Sequence, residues 1–360
     1  MKKLIGFLLV AGIAVAAYGY FSLYGGSTGF AGKTKFLYIP SKTTITREDL
    51  LNRLKKDSIT RRPGFFDWAA KQKGYYQDIR PGKYRIAKDM SVMEILNMLK
   101  AGKQTEVPLV IGKMRTKQQL ARRIANYIES DSAAVMYFLE NADSLKSMNA
   151  GNDSWMSGII QNTYNIYWTQ QPGEILRRLE REKNDFWKKN DRLQKAEALG
   201  LTPHQVYTLA SIVEEESNNE AEKPTIASVY LNRLRINMPL QADPTVRFAK
   251  KDFVSNIVTY NDLRTPGAYN TYLNRGLPPG PICIPQISSI DAVLNAAKTD
   301  YLYFVAHPEL NGTHKFNSTY SAHQKDAKIY QDSLRAWMAR KAEREKASRA
   351  AEKTEEPDGK

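Results

Sequence analysis

A single cysteine in 360 residues, Cys283, leaves no intramolecular disulfide and no cysteine-based zinc site. Histidine is almost as scarce. His204, His307, His314 and His323 form no His-Glu-x-x-His pattern and have no acidic ligand cluster beside them, so a metallohydrolase is excluded and no metal site is expected. The 21 glycines and 16 prolines are too few for a collagen-like or low-complexity chain. Acidic residues also run short: 38 against 53 lysines and arginines, a net charge of +15. Such a balance favours anionic partners, whether nucleic acid, phospholipid head groups or acidic polysaccharide. No concentrated basic-aromatic stripe is present, which argues against nucleic acid. With 42% apolar residues the bulk can bury real cores, and the length suits two or three domains.

What is present begins at the N-terminus. Lys2 and Lys3 precede an uncharged apolar run from Leu4 to Tyr24. At 1.5 Å per residue that run is about 31 Å long, the thickness of a hydrocarbon core. The lysines should stay cytoplasmic, which puts the body of the chain outside the cytoplasm. Ala14-Val15-Ala16 offers the alternative of a cleaved signal peptide. The run continues through Tyr18, Tyr20, Phe21 and Tyr24, however, and those tyrosines suit an outer interfacial belt, so a retained single-pass anchor is favoured. Gly25, Gly26, Ser27 and Gly29 then read as a flexible linker.

The expected class is α+β, in five segments: anchor 1–24, linker 25–33, a small α+β module 34–106, a mixed α+β domain 107–335 and a charged tail 336–360. Within the module, Leu50-Leu51-Asn52-Arg53-Leu54-Lys55 recurs as Ile95-Leu96-Asn97-Met98-Leu99-Lys100. Each copy follows a strand-like piece, Lys35–Pro40 or Gly82–Ile86, and a Thr- or Ser-led helix start. Ser91 with Glu94 forms a capping box. Glu106–Ile111 reads as a strand and 116–130 as helix. A helical stretch over 132–198 is broken by a polar aromatic loop at Gln161–Gln171. The tail from Arg335 reads as a frayed helix followed by disorder.

Thr202-Pro203-His204-Gln205 is a helix start with a cap, a first-turn proline and a capping box. The helix ends in Glu214-Glu215-Glu216-Ser217, and three consecutive glutamates cannot share a face. On a helical wheel Glu216 lies roughly 50° from the apolar centroid, Glu214 roughly 110° and Glu215 roughly 150°. Glu216 is thus the acid turned inward, and desolvation there would raise its pKa into the range of a general acid. A glutamate triplet ending a helix is more often solvated surface. Further on come Asn232-Arg233-Leu234 in an apolar helical stretch, a turn-like Leu240-Gln241-Ala242-Asp243-Pro244-Thr245, and Tyr269-Asn270-Thr271-Tyr272. Gly276-Leu277-Pro278-Pro279-Gly280 and two strands, a buried one at Lys298–Val305 and one at His314–Phe316, complete the set. Amides, tyrosines and rigid loops suit a sugar-binding groove. His314 and His323 read as satisfied loop or groove residues.

Taken together, the segments from Leu209 to Phe316 resemble the endolytic murein transglycosylase family, the YceG-like or MltG proteins. The likeness extends over about residues 1–335, in the order anchor, LysM-like module, catalytic domain. It implies a lytic transglycosylase that cuts the bond between N-acetylmuramic acid and N-acetylglucosamine inside peptidoglycan strands. Products would carry 1,6-anhydro ends, and nascent strands would be terminated in length. Glu216 takes the place of the family's catalytic acid, with no metal or cofactor. Ser217, Asn232, Gln241, Asp243, Tyr269 and Asn270 are expected substrate-binding or orienting residues. Partners would be glycan strands, the cytoplasmic membrane and cell-wall synthesis proteins, without nucleic acid. One departure stands out. Gln161-Asn162-Thr163-Tyr164 replaces a Pro-Asp-Thr-aromatic segment, so no second acid is expected there. The competing reading is a non-catalytic, membrane-anchored peptidoglycan-binding scaffold, which would have no need of a lone inward acid.

Overall fold

The computed structural model describes residues 2–141, 155–255 and 257–354. The chain divides into two compact units. The first takes in residues up to Ile111, then Lys117–Leu139 and Thr163–Leu176, and so does not stop at residue 106. The second takes in Gly112–Thr116, Glu140–Asn162 and everything from Arg177 on.

The first unit opens with helix α1, Lys2–Tyr24, the one described helix long and apolar enough to cross a membrane. Strand β1, Thr34–Ile39, pairs antiparallel with β2, Gly82–Ala87, setting Thr34 opposite Ala87 and Ile39 opposite Gly82. Along β1 the side chains alternate: Leu37 and Ile39 are buried, Phe36 and Tyr38 exposed, as the two-residue period of a strand requires. Helices α2, Arg47–Lys56, and α3, Pro63–Gln72, separate the strands, and α4, Val92–Lys100, follows β2. Both capping boxes form, Thr46 with Asp49 and Ser91 with Glu94. The repeated hexapeptide puts Leu50 and Leu54 of α2, and Ile95 and Leu99 of α4, into one core with Tyr84 and Ile86. Each such aliphatic side chain contributes roughly 1.5–3 kcal/mol on burial.

The segment expected to be a flexible linker is docked on this module. Ser27 and Thr28 are buried, the Ser27 N–H donates to Met90 O (3.0 Å), and the Arg61 N–H donates to Ser27 O (2.6 Å). Glycine is needed here for closeness. A Cβ on Gly26 would lie 3.1 Å from Asp89 O, and one on Gly29 3.0 Å from Ser58 O.

Strand β3, Val107–Ile111, pairs with β4, Asn162–Ile166, so the expected loop at Gln161–Gln171 begins as a strand. Its signal was the pair Tyr164 and Ile166, buried two residues apart. Helices α5, Lys117–Ala125, and α6, Ser132–Glu140, lie between β3 and β4 in sequence.

The second unit is mainly helical. Helix α7, Pro172–Lys188, belongs to it from Arg177 on; α8, Arg192–Ala198, α9, Pro203–Glu216, and α10, Lys223–Arg235, follow. The expected turn at Leu240–Thr245 leads directly into α11, Asp243–Lys250, whose first turn tolerates Pro244 because the missing N–H has no intrahelical partner there. Helix α12 is Ile287–Leu294; strands β5, Tyr303–Ala306, and β6, His314–Asn317, pair antiparallel. The strand read at Lys298–Val305 is shorter and only half-buried. Its first residues are tied elsewhere, as Asn232 shows below. Helix α13, Tyr320–Thr354, runs on through the charged stretch; residues 355–360 lie outside the described part.

Candidate active site

The site is built on the C-terminal end of α9. Its N-terminus is fixed by Thr202, whose hydroxyl accepts from the Gln205 N–H (3.2 Å) while the Gln205 side chain accepts from the Thr202 N–H (2.8 Å). Nine consecutive residues, Val206–Glu214, are buried, so the helix is enclosed on every side. The wheel assumed one buried face, and here it fails: none of the three glutamates is freely solvated. Glu214 accepts from Lys223 Nζ (3.1 Å) and from Ser289 Oγ (2.5 Å). Glu215 receives Arg115 Nη2 at 2.7 and 2.8 Å, with Lys113 Nζ at 3.5 Å. Burial pushes the Glu215 carboxyl up, but Arg115 and Lys113 outweigh it and hold the group below the usual range.

Glu216 differs. It forms no ion pair among the described residues. Tyr230 Oη of α10 donates to its Oε1 at 2.6 Å. Desolvation pushes its pKa up to about 7; the Tyr230 hydrogen bond and the Arg233 charge oppose the rise, while Asp243 and Glu215 add to it. A carboxyl with that value holds its proton about half the time at neutral pH. The group borders a cleft of about 240 Å³.

The other walls come from distant segments. Gln241 and Asp243 line the cleft from the start of α11, and Tyr272 Oη donates to Asp243 Oδ1 (2.6 Å). Burial and the Asp243 charge raise the Tyr272 pKa, and burial and Glu216 do the same for Tyr230, so both phenols remain donors. Gln241 has φ +51°, a left-handed conformation that an ordinary side chain rarely adopts. Thr271 holds it there: its carbonyl accepts from the Gln241 N–H (3.1 Å) and its hydroxyl from the Ala242 N–H (3.0 Å). Arg233 also borders the cleft, but its guanidinium donates to Leu302 O (2.6 Å) and Leu240 O (2.6 Å). Phe304 of β5 and His323 of α13 complete the lining. The His323 ring stacks on Tyr303 (5.3 Å between centroids), and its Nδ1 is buried without a hydrogen-bond partner among the described residues. Burial and Arg233 lower its pKa, which favours the neutral ring. His314, by contrast, is satisfied by Glu222 at 3.0 Å.

Of the residues singled out from sequence, Glu216, Gln241 and Asp243 meet in the cleft. Four do not line it. Ser217 caps α9 and accepts from the Asn219 N–H (3.0 Å). Asn232 donates to Thr299 O (3.0 Å) and Tyr301 O (2.9 Å), which holds those carbonyls against α10 and out of a strand ladder. Tyr269 packs on Phe248 at 4.7 Å. Asn270 is fully buried; its side-chain amide donates to Leu263 O and Thr265 O, and its side-chain Oδ1 accepts from the Tyr272 N–H (2.9 Å), so it acts by placing Tyr272. Asp243, singled out as a substrate-binding residue, is a second carboxylate in the cleft beside Glu216. Asn162, at the first position of β4, is absent from the lining. Tyr230, Tyr272, Arg233 and Phe304 were missed as cleft residues, while His323, read as a satisfied loop or groove residue, lines the cleft with its Nδ1 unpartnered among the described residues. Tyr272 was within reach, being part of a quoted motif, and Arg233 stood out as a charge in an apolar helix. No group of three His, Cys, Asp or Glu is arranged to hold a metal among the described residues.

Known proteins share this arrangement of sequence and fold. The chain is 29% identical over 311 residues to an endolytic murein transglycosylase of Bacillus subtilis (strain 168), covering 81% of this chain and 83% of that protein. It is 26% identical over 302 residues to one of Streptococcus pneumoniae (serotype 2, strain D39), covering 74% of this chain but only 53% of the longer relative. A crystal structure of a yceG-like protein from Listeria monocytogenes superposes with a TM-score of 0.53 at 28% identity, over 82% of this chain and 99% of that one. The profile of the YceG-like family matches residues 37–329, more than four-fifths of the chain, and the chain therefore belongs to the YceG-like family.

Proposed function

We propose that this protein is an endolytic peptidoglycan lytic transglycosylase that cuts between N-acetylmuramic acid and N-acetylglucosamine inside nascent glycan strands, so that it sets their length. The reading is carried by Glu216, an acid with a pKa of about 7 in a polar cleft. Related proteins named endolytic murein transglycosylase support it. Protonated Glu216 gives its proton to the glycosidic oxygen as the C1–O bond breaks, and the N-acetylglucosamine 4-hydroxyl leaves. Positive charge develops at muramyl C1. The resulting carboxylate takes the proton of the muramyl C6 hydroxyl, whose oxygen bonds to C1 and closes a 1,6-anhydro ring. No water is consumed. Tethering of the C6 hydroxyl to the reacting ring gives it an effective concentration that free water lacks. Tyr230 holds Glu216 in place, and Gln241 with Tyr272 offers polar contacts to the sugars.

The small module, β1 to α4, is read as a LysM-like glycan grip, and α1 as a single-pass inner-membrane anchor with the cleft on the periplasmic side. That placement would bring the enzyme to new strands and to the synthesis proteins that make them. One observation favours a second reading. Asp243 in the same cleft is a carboxylate able to activate water, which would make the reaction a hydrolysis. Digestion of purified peptidoglycan in heavy-oxygen water separates the two. Anhydro ends without solvent oxygen are expected. One solvent oxygen per cut would assign hydrolysis with Asp243 as base, and no product at all would leave a binding scaffold.

A further inference from the structure

The last turns of α1 are part of the small module's packing. Ser22 is buried, and Leu23 packs on the module core. The Tyr18 ring meets Phe65 of α3 edge-on at 5.7 Å between centroids, and Arg62, the residue preceding α3, donates from Nη1 to Phe21 O at 2.5 Å. These contacts fix α3 beside the outer part of α1 rather than beyond its end. Tyr18 is six residues before Tyr24, about 9 Å back along the helix axis. The apolar run is about as long as a hydrocarbon core is thick. A bilayer spanned by α1 therefore reaches the level of Phe65.

The α3 surface at that level suits such a position. One turn on from Phe65 stands Trp68, 55% exposed although α3 otherwise buries Phe66, Ala69 and Ala70. A large exposed aromatic beside arginine is ill-suited to water but matches the boundary between acyl chains and head groups, where an indole buries its ring and keeps its N–H wet. Arg62 adds a cation for anionic lipid phosphates.

We propose that the Phe65–Trp68 face of α3 is a lipid-docking surface, inserted at the head-group boundary of the bilayer that α1 spans. The module is then seated on the membrane by two elements and does not swing on a tether. The proposal rests on the reading of α1 as a retained anchor.

Because Cys283 is fully buried, an introduced surface cysteine can be labelled selectively. The full chain carrying Trp68→Cys, Lys71→Cys, Lys103→Cys or Val10→Cys is labelled with an environment-sensitive fluorophore. It is reconstituted in phosphatidylethanolamine–phosphatidylglycerol vesicles containing nitroxide lipids, spin-labelled either near the head group or near the bilayer centre. Lys71 is on α3, so its cysteine variant keeps the test open if Trp68→Cys misfolds. Lys103 adjoins Gln104 at the opposite end of β2 and serves as the distal control. Label at 68 or 71 should lose most of its emission to shallow nitroxide and little to deep nitroxide, while label at 103 keeps its emission. Label at 10 should be quenched by deep nitroxide. Quenching at 10 with none at 68 and 71 would overturn the docking and leave the anchor standing. No quenching at 10 would remove the anchor and the docking with it.

Discussion

Asp67 of the first unit and Glu216 of the second each accept a tyrosine hydroxyl, yet their pKa values are shifted in opposite directions. The donors are Tyr76 at 2.9 Å for Asp67 and Tyr230 at 2.6 Å for Glu216. Asp67 also receives Arg47 at 2.6 and 2.7 Å and Lys71 at 3.0 Å. The Arg47 bond outweighs desolvation and holds Asp67 far below the usual carboxylate range. Among the described residues Glu216 has no cation of its own, since the nearby Arg233 is spent on backbone carbonyls, and desolvation wins. A tyrosine hydrogen bond alone does not decide whether a carboxyl is an ion or an acid; burial and the cation next to it do.

The largest effect expected from this contrast is at Glu216. Glu216→Gln keeps the shape but cannot deliver a proton, so turnover should fall by about 10²–10⁴-fold or more. Stability should move the other way. A carboxyl whose pKa is raised on folding binds its proton more tightly in the native state, so its ionisation costs stability as pH climbs from about 4 towards 7. Glu216→Gln should thus melt at or above the parent temperature at pH 8. An unchanged rate in a peptidoglycan digest would remove Glu216 from the chemistry.

Tyr230→Phe sharpens the comparison at intermediate size. It removes a bond that favours the ionised form, so the Glu216 pKa should rise further. The alkaline limb of the pH–rate profile, expected near 7, should move upward, and loss of one positioning bond should cost about tenfold in rate. A limb that moves down would mean that Tyr230 does not act through Glu216.

The smallest effect belongs to Asp67→Asn, with full activity retained. Asp67 is depressed on folding, so its contribution is present above its unfolded value near 4 and is lost as pH falls through the lower folded value. The variant should melt a few degrees below the parent at pH 7, with the gap closing on acidification. A gap that widens in acid would reverse the assignment.

The two units were also unequally legible in the sequence. In the first, helices with one apolar stripe and strands alternating in and out follow simple periods, and Leu50, Leu54, Ile95 and Leu99 went where those periods sent them. In the second, α9 is buried all round, and a wheel built on one apolar face misplaces Glu214 and Glu215. Glu216, Gln241 and Asp243 were legible as cleft residues through family motifs. Tyr272 and Phe304 join them from segments 29 and 61 residues beyond Asp243, by packing that no local pattern encodes. Asn232 and Asn270 misled because a buried amide tying a loop and an amide gripping a sugar look alike in one dimension. The docked linker misled for a similar reason: glycine permits both flexibility and close approach, and only the neighbouring Asp89 and Ser58 decide which.

The place of Glu216 on its helix carries one more consequence. It is the last residue of α9, fourteen residues beyond the capping Thr202. The peptide dipoles of the helix sum to a partial negative charge at the cleft, equivalent to roughly half an electron. That field resists a carboxylate and so helps to keep the acid protonated. It also attracts positive charge, and a sugar ring turning cationic at its anomeric carbon is the species such a helix end would favour.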